Sequence, residues 1–375
     1  MFLIERTTSL LVYAFALFAA YQLVAKVARK QYKVVLFAYL IVLAVFAFNY
    51  KPYITADLYR LREYIEYWIH KDWGNVIKYA MRNSTPSWVL YSYVLSKLGD
   101  INWLQTITCL WCFGNVFYII VHEIEKDDIQ GGFRSILLFY IMAVGAFYLQ
   151  TISGIRSMLG ISIVAFCLYK ETVENKNIVW HLPLWFFAAF LHTSTMILVI
   201  SRFIFLMIQS RGIARKMIMG IVVLACAFFS FRYMGNFISG SLEYGKGYFT
   251  NTKEYTYIWE RIIAIMETLE TIYVLRKYQK GALYMDAEVK NRYRPLYLFT
   301  LIWTVISVAS FPFSYAVFRR FTMLCTVMSI PLVAKLSDSE ESEETRKCLF
   351  VFSFLIFALS GVRGDLCGYK FFTLS

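Results

Sequence analysis

The chain has 375 residues, of which 59% are hydrophobic and 17% are charged. Soluble domains carry about 25% charged and roughly 45–50% apolar residues, so a water-soluble core of this size cannot bury all of these apolar side chains. The composition excludes a disordered chain, a collagen, a disulfide-stapled secreted module and an ordinary cytosolic enzyme, and it favours a polytopic membrane protein. In such a protein, the net charge of +13 indicates either cations that set the topology or cations that meet an anionic partner.

Apolar windows of about 17–25 residues, the length that crosses a hydrocarbon core, predict an all-α transmembrane helical bundle of about twelve spans. The whole chain, residues 1–375, is expected to form a single integral membrane domain. In chain order, the predicted spans are approximately 9–25, 33–49, 101–122, 134–150, 155–169, 178–191, 193–209, 217–233, 258–275, 296–313, 318–336 and 347–362. The apolar stretch 178–209 is too long for one span, so we divide it near His192.

The distribution of Lys and Arg predicts the orientation of the spans. One set of alternate short loops carries most of these cations, beginning with Lys26, Arg29 and Lys30. Because cations accumulate in cytoplasmic loops, this set is expected in the cytoplasm and both termini are expected outside. The two long loops, 50–100 and 234–257, then face outward.

The two outer loops differ in character. Residues 50–100 include WIHKDWGNVIKYAMRNSTPSWVLYSYVLSKLGD, in which apolar residues recur at helical spacing among Lys and Arg. This pattern predicts amphipathic helices that lie on the outer membrane face. Residues 234–257 are rich in Gly and Tyr without a helical period, which is typical of a mobile loop that closes over a site.

The seven cysteines do not predict a metal site. Cys109 and Cys112 form a CxxC pair inside an apolar run, but no second pair or neighbouring His cluster completes a zinc site. We therefore expect neither a metal nor another cofactor.

Three arginines stand at membrane depth, where an ionisable side chain is costly and is a candidate for function. Arg156 lies between Gly154 and Gly160 in an apolar segment, and these glycines allow a neighbouring helix or a substrate to approach closely. Arg319 and Arg320 precede a long apolar run. Adjacent residues point to different sides of a helix, so at least one of the two should face inward. Snorkelling to the interface, or pairing with a buried acid, is the alternative explanation.

A histidine and an acidic segment are predicted at the same side of the membrane. His192 lies at an outward turn in WFFAAFLHTSTMILV, where it is either a core histidine satisfied by a hydrogen bond or a catalytic residue. Asp57, Tyr59 and Arg60 follow the second span at its outer end. They form either a solvated loop start or part of the site, with Asp57 as a catalytic candidate and the other two as substrate contacts.

Two weaker candidates for substrate binding are Glu243, in the second outer loop, and Arg261, near the start of the span 258–275. The same span carries Glu267 and Glu270. Protein or water, rather than lipid, is therefore expected around its polar side.

These candidates are far apart in the sequence but are expected in one leaflet, as an outward-facing, cation-rich pocket rimmed by Tyr and Trp. Arginine forms paired hydrogen bonds with phosphate oxygens and stays charged when partly desolvated. Aromatic faces suit the C–H surfaces of sugars and isoprenoid chains. The expected ligand is therefore a lipid-linked phosphate or diphosphate presented from the outer leaflet.

Four segments of the chain resemble the EpsG/Wzy-type bacterial polysaccharide polymerases. They are ADLYRLREY after the second span, GIRSMLGISIVAFCLYKE, FAAFLHTSTMILV at the histidine turn, and FRRFTMLCTVMSIPLV. Their order and spacing, together with the many spans and a terminal Gly-Tyr-Lys-Phe segment, extend the resemblance over most of the chain. The sequence departs from the family pattern in having two adjacent arginines where one is expected.

The resemblance implies an enzyme of the bacterial cytoplasmic membrane that polymerises undecaprenyl diphosphate-linked oligosaccharide repeat units at the outer face, for an O-antigen, capsule or exopolysaccharide. A non-reducing-end hydroxyl of one unit attacks the anomeric carbon of the growing chain, and undecaprenyl diphosphate leaves. Membrane lipid, a chain-length regulator and a flippase are the implied partners, without nucleic acid. The site residues carried over are Arg156, His192, one of Arg319 and Arg320, and Asp57.

The implied chemistry assigns a role to each group. Arg156 with Arg319 or Arg320 would stabilise the departing diphosphate. His192 would take the proton of the attacking hydroxyl, because an ordinary pKa of about 6.5 suits a base near neutrality. Asp57 is the alternative base or an orienting partner.

Two other functions remain open at the level of sequence. A flippase for the same lipid-linked sugars should show internal repeats and cationic sites reachable from both sides. No repeat is evident here, and the unusual cations gather on one side. An O-antigen ligase-like transferase uses the same donor but passes the glycan to another acceptor, and the sequence does not separate it from a polymerase.

Overall fold

The computed structural model of the chain describes residues 2–28, 31–52, 57–143, 148, 151, 152, 154–209, 212, 217, 220, 221, 224, 258–338 and 341–362. Within these residues every regular element is helical, which agrees with the predicted all-α class. The predicted outer loop 234–257, with Glu243, lies outside the described residues, as does most of the predicted span 217–233.

Fourteen α-helices occur in the described residues and are numbered here in chain order. They are α1 (Phe2–Lys26), α2 (Tyr32–Phe48), α3 (Asp57–Ile69), α4 (Trp73–Ala80), α5 (Pro86–Ser96), α6 (Trp103–Asp127), α7 (Gly131–Ala143), α8 (Ile155–Thr172), α9 (Leu182–Ala189), α10 (Thr193–Gln209), α11 (Ile258–Gly281), α12 (Ala287–Ser310), α13 (Tyr315–Ala334) and α14 (Ser342–Val362). Two short 3-10 helices, Ile178–His181 and Lys335–Asp338, precede α9 and follow α13.

The helix boundaries agree with most of the predicted spans. The long apolar stretch divides near His192 as predicted, because α9 ends at Ala189 and α10 begins at Thr193. By length and composition, three described segments are able to cross a membrane: Thr8–Lys26, Trp103–Asp127 and Val317–Asp338. Shorter apolar helices occupy Tyr32–Phe48, Gly131–Met142, Ile178–Ala189 and Thr193–Met207. The total of about twelve spans stays a prediction.

The centre of the bundle is formed by α6, α8 and α13. Helix α6 packs against α2, α8 and α13, while α13 also packs against α11 and α12. The difference between central and peripheral helices is large: 89% of the apolar window in α13 is buried, against 28% in α1. Hydrogen bonds in parallel order between α6 and α8, and one between the ends of α6 and α13, show that these three helices begin at the same end of the bundle, which we call the cavity end. They finish at the opposite end.

Helices α3, α4 and α5 form a small layer in which α3 and α4 both pack against α5. Helix α3 is amphipathic, since its buried residues recur every three or four positions: Leu58, Leu61, Ile65 and Trp68. Helix α4 begins with a side-chain cap, in which Asp72 Oδ1 accepts a hydrogen bond of 2.8 Å from the backbone N–H of Asn75. This layer supplies one wall of the site described next.

Candidate functional site

A cavity of about 380 Å³ lies between the α3–α5 layer and the start of α8 and α10. Its lining combines two arginines and a histidine with aromatic and small polar side chains: Arg60, Leu61, Tyr64, Asn83, Ser84, Thr85, Trp88, Arg156, His192 and Thr193. The structure thus brings together Arg60, Arg156 and His192, three of the residues singled out in the sequence.

Arg156 is the second residue of α8, two positions after the N-cap residue Gly154, and its side chain is half-buried. The guanidinium carbon lies 5.8 Å from the centre of the Trp88 ring, a cation–π geometry. Trp88 itself is only 3% exposed. No salt bridge joins Arg156 to a carboxylate of the described residues, so its charge remains open to an anion that enters the cavity.

Charges from two other helices act on Arg156. Asp57 contributes the strongest opposite charge, and Arg320 and Arg60 contribute positive charge. Asp57 and Arg60 form an exposed ion pair one turn apart in α3. Arg320, near the start of α13, is half-buried and has no ion pair among the described residues. Arg156 is therefore under the influence of one carboxylate and two further guanidinium groups.

The turn that holds His192 is fixed by hydrogen bonds. The imidazole Nδ1 lies 2.8 Å from Ser194 Oγ and accepts a hydrogen bond of 3.2 Å from the Ser194 backbone N–H. The Thr195 hydroxyl lies 2.7 Å from the carbonyl oxygens of both Ala188 and His192. These contacts tie the end of α9 to the start of α10 and orient the imidazole at the cavity wall.

Gly160 lets this turn approach α8 closely. A Cβ atom at position 160 would lie only 2.4 Å from Thr195 Cγ2, well inside van der Waals contact. The sequence-based expectation that Gly160 admits a neighbouring helix is therefore confirmed. Because Gly160 follows Arg156 by about one turn of α8, this contact sets how near His192 comes to the guanidinium.

A buried ion pair fastens the same helices farther along. Glu171, near the end of α8, accepts hydrogen bonds of 3.3 and 3.2 Å from Nε and Nη2 of Arg202 in α10. It also accepts one from the Trp185 indole in α9. Both members of the ion pair have side chains at most 5% exposed. The α9–α10 hairpin that carries His192 is thus held to α8 at two places, near Gly160 and at Glu171.

The two adjacent arginines of α13 have different surroundings. Arg319 forms a buried ion pair with Glu267 of α11, whose side chain is fully enclosed. Arg320 instead acts electrostatically on both Arg156 and His192. Glu267 and Glu270 of α11 are both fully buried, so of the two surroundings expected for them, protein or water, the structure shows protein.

Other sequence candidates lie apart from the cavity. Tyr59 is half-buried on α3 but does not line it, and Arg261 is exposed near the start of α11. Tyr64 and Trp88, together with the turn Asn83–Thr85, were not singled out individually in the sequence. In that turn the Thr85 N–H and hydroxyl donate to Asn83 Oδ1 at 2.9 and 3.0 Å. The polar run just before Pro86, between α4 and α5, is the signal that could have indicated them.

The electrostatics of the cavity favour an uncharged histidine beside charged arginines. His192 lies in the turn between α9 and α10, outside both helices. Burial, followed by the positive charges of Arg320 and Arg156, lowers the pKa of His192 below its ordinary value. No cluster of three or more His, Cys, Asp or Glu side chains suited to a metal ion occurs in the described part of the chain.

Comparison with known proteins finds one family. A model described as the EpsG family matches residues 32–371, which is nearly the whole chain and includes every residue that lines the cavity. No curated protein and no solved structure matches the chain.

Proposed function

The chain belongs to the EpsG family, whose members are polysaccharide polymerase-type glycosyltransferases, and is a membrane protein; we propose that it polymerises undecaprenyl diphosphate-linked oligosaccharide repeat units. In this proposal the reaction occurs at the outer face of the bacterial cytoplasmic membrane. The observation that carries it is the cavity in which Arg156 and Arg60 lie beside His192, with Arg320 close enough to act on both Arg156 and His192.

The guanidinium groups suit the leaving group of this reaction. When the anomeric C–O bond breaks, the electron pair goes to the diphosphate, whose negative charge increases. Arg156 and Arg320 have no ion pair with a described carboxylate, so both are free to stabilise that charge. Groups already oriented toward developing charge contribute more than groups that must reorganise, and loss of one commonly costs about 10²–10³ in rate.

The wall of the cavity formed by α3, α5 and the turn before α5 suits a sugar. Half-buried Tyr64, which stacks on the buried Trp88, offers an aromatic face to C–H surfaces. Asn83, Ser84 and Thr85 add amide and hydroxyl groups that hydrogen-bond sugar hydroxyls. The cation–π contact joins Trp88 to Arg156, so a sugar on this wall would have its anomeric diphosphate beside the guanidinium.

The attacking hydroxyl of the second repeat unit must lose a proton as the new glycosidic bond forms. His192 and Asp57 are the two candidates for the acceptor of that proton. His192 lines the cavity, whereas Asp57 is exposed, pairs with Arg60 and acts on Arg156 through its charge.

Reconstitution tests this function. The purified full-length protein in liposomes, given a synthetic polyprenyl diphosphate-linked repeat unit, is expected to produce a ladder of lengthened glycans and free lipid diphosphate. Arg156→Ala should lower the rate of lengthening by about 10²–10³. Arg82→Ala is the matched control, since Arg82 is exposed and does not line the cavity.

The same assay separates the rival functions. Transbilayer movement of the lipid-linked unit without lengthening would identify a flippase. Transfer of a single glycan to a different acceptor, without a ladder, would identify a ligase-like transferase. Either result would contradict the proposal.

A further inference from the structure

The tautomer of His192 follows from one hydrogen bond. The backbone N–H of Ser194 can only donate, and it lies 3.2 Å from His192 Nδ1 with hydrogen-bond geometry. Nδ1 must therefore present its lone pair and carry no proton. In a neutral imidazole the proton is then on Nε2, and Nε2–H is a donor. The Ser194 hydroxyl, 2.8 Å from the same nitrogen, is placed to donate as well.

The free side of the ring meets a cationic cavity suited to an anion, and no acid. His192 lines the cavity, and the charged groups that act on it are Arg320 and Arg156. No described residue accepts a hydrogen bond from Nε2. A neutral N–H donor near two guanidinium groups complements phosphate oxygens, because all three groups are then able to offer hydrogens to the same charge.

We propose that His192 binds a diphosphate oxygen of the lipid-linked substrate as an Nε2–H hydrogen-bond donor, instead of accepting the proton of the attacking hydroxyl. The inference rests on the proposed function, because it concerns the same cavity and the same reaction. It removes His192 from the two candidate bases. Asp57 is then the carboxylate that takes the proton while the glycosidic bond forms and the anomeric bond to the diphosphate breaks.

Nitrogen NMR tests the tautomer directly. The full-length protein, labelled with ¹⁵N-histidine and held in lipid nanodiscs at neutral pH, contains four histidines. His192→Gln identifies the signals of His192 by their loss. The expected result is a neutral ring protonated at Nε2. A ring protonated at Nδ1, or an imidazolium, would overturn the inference.

A set of variants tests the role in binding. The amide nitrogen of Gln reaches the position of Nε2 and donates a hydrogen bond, but it cannot act as a base. Asn places its amide nearer to the position of Nδ1. With farnesyl diphosphate as the probe, His192→Gln should bind within a few-fold of the wild type. His192→Ala and His192→Asn should bind about 10–100-fold more weakly, as expected for loss of a hydrogen bond to a charged group.

The polymerisation assay distinguishes a binding role of His192 from a role as the base. His192→Gln should retain most of the wild-type rate of lengthening, whereas His192→Ala should lose it in proportion to diphosphate binding. If both variants bind farnesyl diphosphate like the wild type and neither makes polymer, His192 is the base and the inference is wrong. His70→Gln, at an exposed position after α3, is the matched control.

Failure of the proposed function would look different. A wild-type protein that binds farnesyl diphosphate and makes no ladder would contradict the polymerase proposal without changing the tautomer of His192. A wild type that makes a ladder, while its His192 is protonated at Nδ1, would contradict this inference alone.

Discussion

Glu123 and Arg156, at opposite ends of the bundle, differ in whether other side chains satisfy their charge. At the end opposite the cavity, Glu123 is fully buried and accepts hydrogen bonds from the hydroxyls of Tyr169 at 2.5 Å and Tyr293 at 2.7 Å. At the cavity end, Arg156 faces an aromatic ring and an open volume instead of a carboxylate.

Further pairs complete the network at the opposite end. Lys126 donates to the Tyr293 hydroxyl at 3.0 Å, and Lys335 pairs with Asp127 at 2.5 Å. The polar groups there satisfy one another and join α6, α8, α12 and α13. Because a buried charge is costly without a partner, a satisfied network indicates structure. A charge without a partner, next to a cavity, indicates a ligand.

The largest expected effects concern the two adjacent arginines of α13. One of them has a carboxylate partner and the other has none among the described residues. Arg319→Ala would leave the enclosed carboxylate of Glu267 without its partner, so it should destabilise the protein by about 3–5 kcal/mol. Arg320→Ala should change thermal unfolding little and lower the rate of lengthening by about 10²–10³. Unfolding of the purified variants and rates in liposomes measure the two effects. A folded, fully active Arg320→Ala protein would remove Arg320 from the site.

Gly160→Ala tests whether the close contact of α8 with the histidine turn matters. The added Cβ would lie 2.4 Å from Thr195 Cγ2, and Thr195 is held by hydrogen bonds to Ala188 and His192. The variant should lose about 1–3 kcal/mol of stability and should lengthen glycans more slowly, because His192 shifts relative to Arg156. Thermal unfolding and the liposome rate are measured together.

The double variant is the control for that prediction. Adding Thr195→Ser to Gly160→Ala removes the methyl group that makes the shortest contact, while the hydroxyl remains. Partial recovery of both stability and rate is expected. If the serine change makes either property worse in the Gly160→Ala background, the clash is not the cause.

Glu123→Gln provides the converse test at the opposite end. The amide keeps one acceptor oxygen but replaces the other with a donor that faces Tyr hydroxyl groups. A loss of about 1–3 kcal/mol in stability is expected. The rate of lengthening per folded molecule should stay near the wild-type value. A variant that is stable yet inactive would show that this network takes part in the reaction and would break the comparison.

The smallest expected effect is on the pH dependence of stability. The pKa of His192 is lowered in the folded protein, so below about pH 6.5 the unfolded chain binds more protons than the folded one. Stability should therefore fall as the pH drops from about 6.5, by less than about 1.4 kcal/mol per pH unit for one partly exposed group. The difference between wild type and His192→Gln in thermal unfolding at several pH values isolates the contribution of His192 to the pH dependence of stability. An identical pH dependence in both would contradict the lowered pKa.

Much of the architecture could be predicted because it depends on local composition. The apolar windows predicted α6 and α13 closely, and the break at His192 was found because the stretch is longer than one membrane span. Gly160 was recognised as a point of close approach, since a missing side chain in an apolar helix has few other uses.

The site was only partly predictable because it depends on packing. Which of Arg319 and Arg320 meets Glu267 is decided by the rotation of α13 against α11, and no local pattern encodes that rotation. The contact of Arg156 with Trp88 depends on how the α3–α5 layer folds back. The tautomer of His192 depends on a single backbone N–H.

The central claim is that the open guanidinium groups bind a lipid diphosphate, and binding of farnesyl diphosphate measures it most directly. The wild type and Glu123→Gln should bind it with similar affinity, while Arg156→Ala should bind it at least about 10-fold more weakly. Equal binding by all three proteins would contradict the account, because Arg156 would then be no more involved with the diphosphate than a residue at the far end of the bundle.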